Sequence, residues 1–265
     1  AGLGPAMPGF QIIPYDDLDA LDDALANPNV AAFLVEPIQG EAGVYVPSDG
    51  YIAGAAQRCR AANVLFMADE IQTGIGRTGA WLATCGSCSC GGGTCERDPK
   101  TYVRADVLIL GKALSGGVYP SSAVLADDEI MLTIKPGQHG STFGGNPIAA
   151  RVAQVALQVV EDEQLMQRAR RQGEHFRATL RRELGDHPLI GTVRGRGLLN
   201  AVVINASEDS HVAWDLCLAM AREGVLAKPT HGNIIRFAPP LVLTDDQLED
   251  ALDRIVRSVK NFTAA

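Results

Sequence analysis

At 265 residues the chain can bury one large core or two modest ones, and its 46% hydrophobic, 20% charged and 5% aromatic make-up is that of an ordinary soluble α/β protein. A formal net charge of −8, from 23 basic and 31 acidic residues, runs against a nucleic-acid partner, which would need a basic face to draw phosphates. No apolar run approaches a membrane span, and Ala1 to Phe10 show neither the basic nor the apolar region of a secretory signal.

In chain order, residues 30–35 read as a β run ending at Glu36 and Pro37, and residues 51–62 follow with helical spacing. A second β run, 64–68, ends at Asp69. A third, 107–110, ends at Gly111 and Lys112, and 122–125 is a fourth. Short apolar runs alternating with helical patterns predict a mostly parallel sheet with covering helices. Glu36, Asp69 and Lys112 stand just past the C-terminal ends of three runs, the edge where open α/β sheets bind ligands.

The second half changes character. Residues 146–171 predict one long helix, with Asn146 as N-cap and Pro147 as its first residue, and 173–184 predict a second. Residues 193–204 and 234–237 are β-like, with helical patterns at 209–223 and 245–260. The expectation is an α/β large unit over 1–150 followed by a small α+β unit over 151–265.

A lysine serves as a nucleophile when its amine loses charge easily, through burial or cationic neighbours. Lys112 follows an apolar run and enters a turn of small residues, a setting that also suits a solvated strand end. Asp69, emerging from a buried run, could keep a pyridine nitrogen protonated or could cap the turn that follows. The stretch 139–147, HGSTFGGNP, offers Ser141 and Thr142 hydroxyls just ahead of a helix start, suited to phosphate or to a simple Gly-rich connector. Residues 74–79, GIGRTG, match G-x-G-x-x-G in form, but no long helix opens at Gly79, which argues against a dinucleotide site. Cys85, Cys88, Cys90 and Cys95 have neither paired C-x-x-C spacing nor a settled role; inert loop, redox-sensitive thiols and a metal site all stay open. Cys59 and Cys217 sit alone in helical patterns as small core residues, and the cysteine usage suits a reducing interior such as cytoplasm or mitochondrial matrix.

Taken together, 110–117 (LGKALSGG), 68–74 (ADEIQTG) and 139–147 resemble the class III pyridoxal-phosphate-dependent aminotransferases. Stretches 35–43 (VEPIQGEAG) and 228–240 (KPTHGNIIRFAPP) are more particularly similar to the ornithine-specific branch of that family. The resemblance implies a fold-type I, aspartate-aminotransferase-like large domain and a small C-terminal domain. It implies pyridoxal 5′-phosphate as cofactor, with Lys112 as the covalent attachment and proton carrier. Asp69 is implied on the pyridinium nitrogen and Gln72 near the phenolic oxygen. Ser141 and Thr142 are implied on the phosphate of a neighbouring subunit's cofactor, making a homodimer or higher homo-oligomer. Glu41 and Arg236 are implied as a switchable ion pair that lets one pocket take ornithine's δ-amine and then 2-oxoglutarate, giving glutamate 5-semialdehyde and glutamate. The family's long leading portion, which bears a phosphate cradle and a stacking aromatic, has no counterpart in this sequence, and the opening without Met is what an upstream start would leave. Acetylornithine or 4-aminobutyrate as substrate, or a non-catalytic chain retaining a dimer surface, are the alternatives.

Overall fold

The structure, a computed structural model, describes residues 7–85 and 103–263. The chain runs α1 (Leu18–Leu25), β1 (Ala32–Val35), α2 (Tyr51–Ala61), β2 (Leu65–Asp69), β3 (Val107–Leu110), β4 (Ala123–Ala126) and α3 (Asp128–Met131). It continues through α4 (Pro147–Asp162), α5 (Leu165–Leu184), β5 (Ile190–Arg196), β6 (Leu199–Ile204), α6 (Val212–Arg222), β7 (Lys228–His231), β8 (Ile234–Phe237) and α7 (Asp245–Lys260). No helix among the described residues is long and apolar enough to cross a membrane.

The first sheet has the order β1-β2-β3-β4, its first three strands parallel and β4 antiparallel. Parallel strands are covered on both faces, so their sequences read as near-continuous apolar runs. Under α1 and α2, Leu21, Tyr51, Ala55, Cys59 and Phe66 form one core, with Cys59 buried. Burying a side chain such as Phe66 contributes about 1.5–3 kcal/mol. The flank formed by 118–155 is different: Val118 is 78% exposed, Phe143 61% and Ile148 63%.

The second sheet is antiparallel, in the order β5-β6-β8-β7. Alternation divides its side chains between two faces. Val193, Val202, Ile235 and Phe237 meet α5, α6 and α7 in the larger core, where Cys217 is buried. Leu199, Ala201 and Ile234 point the other way and pack on Ile38 and Val44, from the stretch following β1. Cross-strand register sets Arg194 opposite Ala201, Ala201 opposite Arg236 and Arg236 opposite Lys228, so all four share that second face. α7 begins with a complete capping box between Thr244 and Gln247.

Two expectations need correction. Residues 146–171 are not one helix. α4 starts as foreseen, with Asn146 accepting from Ala149 N at 3.0 Å and Pro147 next, but the chain breaks after Asp162. Gln164 takes φ 51°, and α5 sets off in a new direction. Val160 of α4 and Leu165, Met166 and Ala169 of α5 share one core cluster, which a straight helix could not bring together on one side. Residues 193–204, similarly, form not one run but a hairpin, with β5 and β6 turning at Gly197 and Leu198.

Candidate active site

Because β1, β2 and β3 are parallel, the residues that follow them leave the sheet at one edge. Asp69 ends β2 opposite Ile109, and its carboxylate accepts from Ile71 N at 3.0 Å, which fixes the turn. Lys112 opens a 3-10 turn, Lys112–Ser115, at φ 41°, an uncommon conformation for a residue with a Cβ. Its side chain is exposed. Glu36, beyond β1, accepts from Gly40 N at 3.1 Å. Burial pushes the Glu36 carboxyl above the usual range; the Gly40 N–H opposes this, the Asp69 charge adds to it, and the Lys112 charge opposes it. The parallel register, with Val35 opposite Ala68 and Asp69 opposite Ile109, places the three strand ends in one neighbourhood.

Glu41, Gln72 and Arg236, far apart in sequence, meet directly. Arg236 donates to the Glu41 carboxylate in an ion pair, and Gln72 Nε2 donates to the same oxygen at 3.0 Å. Arg236 also donates to Gln72 Oε1 at 3.3 Å. The Arg236 side chain is 18% exposed and that of Glu41 63%. The hydrogen bond from Arg236 holds the Glu41 carboxyl below the usual carboxylate range; burial works against it and the Gln72 bond with it. A Cβ at Gly40 would overlap the Gln72 amide, so a larger residue there would displace that side chain.

The loop 70–84 carries Gln72 and is organised by a residue that sequence reasoning missed. Glu70, 1% exposed, accepts from the Thr73 hydroxyl, from Ala83 N at 2.9 Å and from Thr84 N at 2.8 Å. Burial raises its carboxyl above the usual range, with the Thr73 hydroxyl and then the two backbone N–H groups opposing. Its signal was an acid directly continuing a buried strand, with a threonine three residues on. The G-x-G-x-x-G match lies in the same loop and binds protein backbone. Arg77 donates to the carbonyls of Leu198 at 3.1 Å and Pro239 at 2.5 Å, while Leu198 N donates back to Arg77 O at 3.0 Å. Burial brings the Arg77 guanidinium down to about 10. Gly197 lies so close to Thr78 and Gly79 backbone that a Cβ would collide with it. The glycines here allow close approach of two chain segments, not of a phosphate.

Ser141 and Thr142 stand apart. Both are exposed, and neither hydrogen-bonds Asp69, Gln72 or Lys112 among the described residues; Ser141 Oγ instead accepts from Gly144 N at 2.9 Å. Their loop feeds α4, which packs on the Lys112 turn. Cys88, Cys90 and Cys95 lie outside the described residues. A cavity of about 560 Å³ lined by Val225, Pro240, Gln247 and Arg254 shares no residue with this site. Judged against pyridoxal phosphate, the donor set fits two ends of the molecule, with a carboxylate for the ring nitrogen and an amine for the aldehyde on adjacent strand ends. The phosphate end has hydroxyls only in the exposed 139–147 stretch.

A class-III aminotransferase family model matches residues 2–259. The chain is 53% identical over 263 residues to mitochondrial ornithine aminotransferase of Rattus norvegicus, covering 98% of this chain and 56% of the rat protein. Among solved structures, ornithine aminotransferase from Toxoplasma gondii, described with partial occupancy of PLP at its active site, aligns with a TM-score of 0.88 at 50% identity, over 98% of this chain and 57% of that one. Acetylornithine aminotransferase from Elizabethkingia anophelis aligns with a TM-score of 0.88 at 54% identity, over 98% and 62%. The chain thus spans little more than half the length of these relatives. A family match over nearly all its residues, joined to the amine and carboxylate at one sheet edge, places the chain in the class-III aminotransferase family.

Proposed function

We propose that this chain bears the reactive part of an ornithine aminotransferase, which moves the δ-amino group of ornithine to 2-oxoglutarate in a ping-pong cycle. The observation that carries the reading is the Glu41–Arg236 pair with Gln72 bridging it, beside the strand ends that bear Asp69 and Lys112. Pyridoxal phosphate, when bound, supplies an electron sink for charge developing on the amine-bearing carbon. Asp69 would hold a proton on its ring nitrogen by offering a fixed negative charge, and Gln72 would approach its phenolic oxygen. Lys112 would hold the cofactor covalently and, once displaced by the substrate amine, would move a proton between the substrate carbon and the cofactor's C4′, first as general base and then as general acid. Ser141 and Thr142 would donate to phosphate across a subunit boundary, which makes the working unit a homodimer or larger.

Arg236 gives one pocket two charge states. Paired with Glu41 it is neutralised, and the pocket accepts a substrate end without a second carboxylate. Released, it offers a guanidinium to the distal carboxylate of a 2-oxo diacid. The second reading is an acetylornithine aminotransferase, favoured by the 54% identity to the Elizabethkingia anophelis structure. Initial rates with ornithine, N-acetylornithine and 4-aminobutyrate as donors, 2-oxoglutarate as acceptor and semialdehyde trapped, separate the readings. Ornithine is expected to exceed the other two by at least tenfold; a faster acetylornithine rate overturns the substrate assignment.

A further inference from the structure

Glu41 rides on a short hairpin that follows β1, closed by reciprocal hydrogen bonds between Gln39 and Tyr45 at 3.1 and 3.0 Å. Although β1 belongs to the first sheet, the hairpin's apolar side chains pack on the second. Its apolar residues Ile38 and Val44, each 0% exposed, sit on Leu199, Ala201 and Ile234 of the second sheet. Its backbone is strained, since Val44 is β-branched at φ 55° and Gly43 turns at φ 122°. A conformation of that kind persists only where its surroundings over-determine it, and such conformations cluster at functional sites.

Arg194 of β5 supplies the tie. Its Nε and one terminal nitrogen donate to the Gly43 carbonyl at 3.0 and 2.8 Å, and its guanidinium lies 3.9 Å over the Tyr45 ring. Such a two-point grip, with a stacked guanidinium, is specific to arginine. Arg194 also stands on the same cross-strand row as Arg236, with only Ala201 between them. The residue that holds the hairpin and the residue that Glu41 neutralises are therefore fixed in one sheet.

We propose that Arg194 is a positioning residue that locks the Glu41 hairpin onto the second sheet, so that Glu41 and Arg236 form one preassembled unit whose pairing sets the choice between a neutral-ended and a dicarboxylate substrate. The substrate consequence rests on the reaction proposed above; the lock itself does not. The Glu41 hairpin is packed and tied on the sheet that bears Arg236, which keeps the two side chains together. Opening then falls to side-chain rotation driven by an incoming carboxylate.

The test compares the purified protein with its Arg194→Ala, Arg194→Lys and Tyr45→Ala variants in two measurements that need no turnover. Hydrogen exchange at the Val44 and Tyr45 amides is expected to speed up at least tenfold in Arg194→Ala. Glutarate, a non-reacting dicarboxylate, is expected to bind about tenfold more tightly by calorimetry at pH 7.5, because a loosened Glu41 leaves Arg236 free. Arg194→Lys keeps a cation but loses the two-point grip and is expected to give about threefold effects, as is Tyr45→Ala. Should Arg194→Ala not fold, these two variants decide: unchanged exchange, or unchanged glutarate affinity, in both overturns the proposal. Faster exchange with unaltered glutarate affinity in a folded Arg194→Ala overturns it equally. If the parent protein transaminates no donor while these two measurements behave as stated, the reaction assignment fails and the positioning role stands.

Discussion

Replacing Glu70 with alanine tests whether a buried carboxylate organises the loop that presents Gln72. The side chain accepts three hydrogen bonds, and the Thr73 hydroxyl can rotate to another acceptor. The N–H groups of Ala83 and Thr84 cannot turn away, and a buried donor without a partner costs roughly 1–3 kcal/mol. Two of them give a loss of about 4 kcal/mol, which at about 2 °C per kcal/mol for a chain of this size lowers the melting midpoint by about 8 °C. Glu70→Gln keeps the shape and one acceptor oxygen, so it should lose about half as much. The pH dependence has a definite sign. Burial raises the folded-state pKa of Glu70 above its unfolded value, so its contribution is complete below about pH 4.3 and is lost as pH rises through the folded value. The stability gap between parent and Glu70→Gln should therefore shrink with rising pH. Scanning calorimetry from pH 4 to 8 reads both effects. A midpoint shift under about 2 °C for Glu70→Ala, or a gap that widens with pH, refutes the reasoning.

Three further outcomes are expected. Lys112→Ala should abolish borohydride-trapped cofactor incorporation as read by peptide mass spectrometry, and undiminished label on another lysine would remove Lys112 from its role. Gly173→Ala should destabilise by about 3 kcal/mol in urea unfolding, because the new Cβ overlaps the Gly197 carbonyl, although helix propensity alone favours alanine by about 1 kcal/mol. Arg236 holds the Glu41 carboxyl low, so acid that protonates Glu41 releases the guanidinium: a disulfonate, ionised throughout, should bind more tightly as pH falls through the lowered Glu41 pKa, and Glu41→Gln should flatten that profile. The Glu41 contribution to stability has the same direction, present above the unfolded pKa and lost as pH falls, and is under about 1 kcal/mol for so exposed a pair.

Much of the first sheet was legible because its strands are apolar runs that end in polar residues, and periodicity detects both. Residues 107–110 and 234–237 came out with their boundaries intact. What periodicity cannot detect is a change of direction inside a helical pattern. Gln164 has no glycine or proline to announce its left-handed turn, so α4 and α5 read as continuous. The turn within residues 193–204 differs, since Gly195 and Gly197 do announce it and the run was nonetheless read as continuous. At the site, Asp69 and Lys112 were picked out at strand ends, whereas the Glu41–Arg236 pair came from resemblance alone and Gln72's place between them was not foreseen. Arg194 carried no local signal, because its role exists only where the hairpin crosses from one sheet to the other.

The open flanks of the first sheet bear on how this polypeptide can be handled. Among the described residues, β1 and β4 each pair on one side only, and Leu34, Val124 and Leu125 are about half exposed on them. Edges of this kind present free backbone donors and acceptors next to apolar side chains, a template for adding strands from another molecule. Expressed by itself, the stretch is a candidate for inclusion bodies and concentration-dependent turbidity. Charged substitutions at Val124 and Leu125 are a direct way to recover soluble material without touching the strand ends where Asp69 and Lys112 lie.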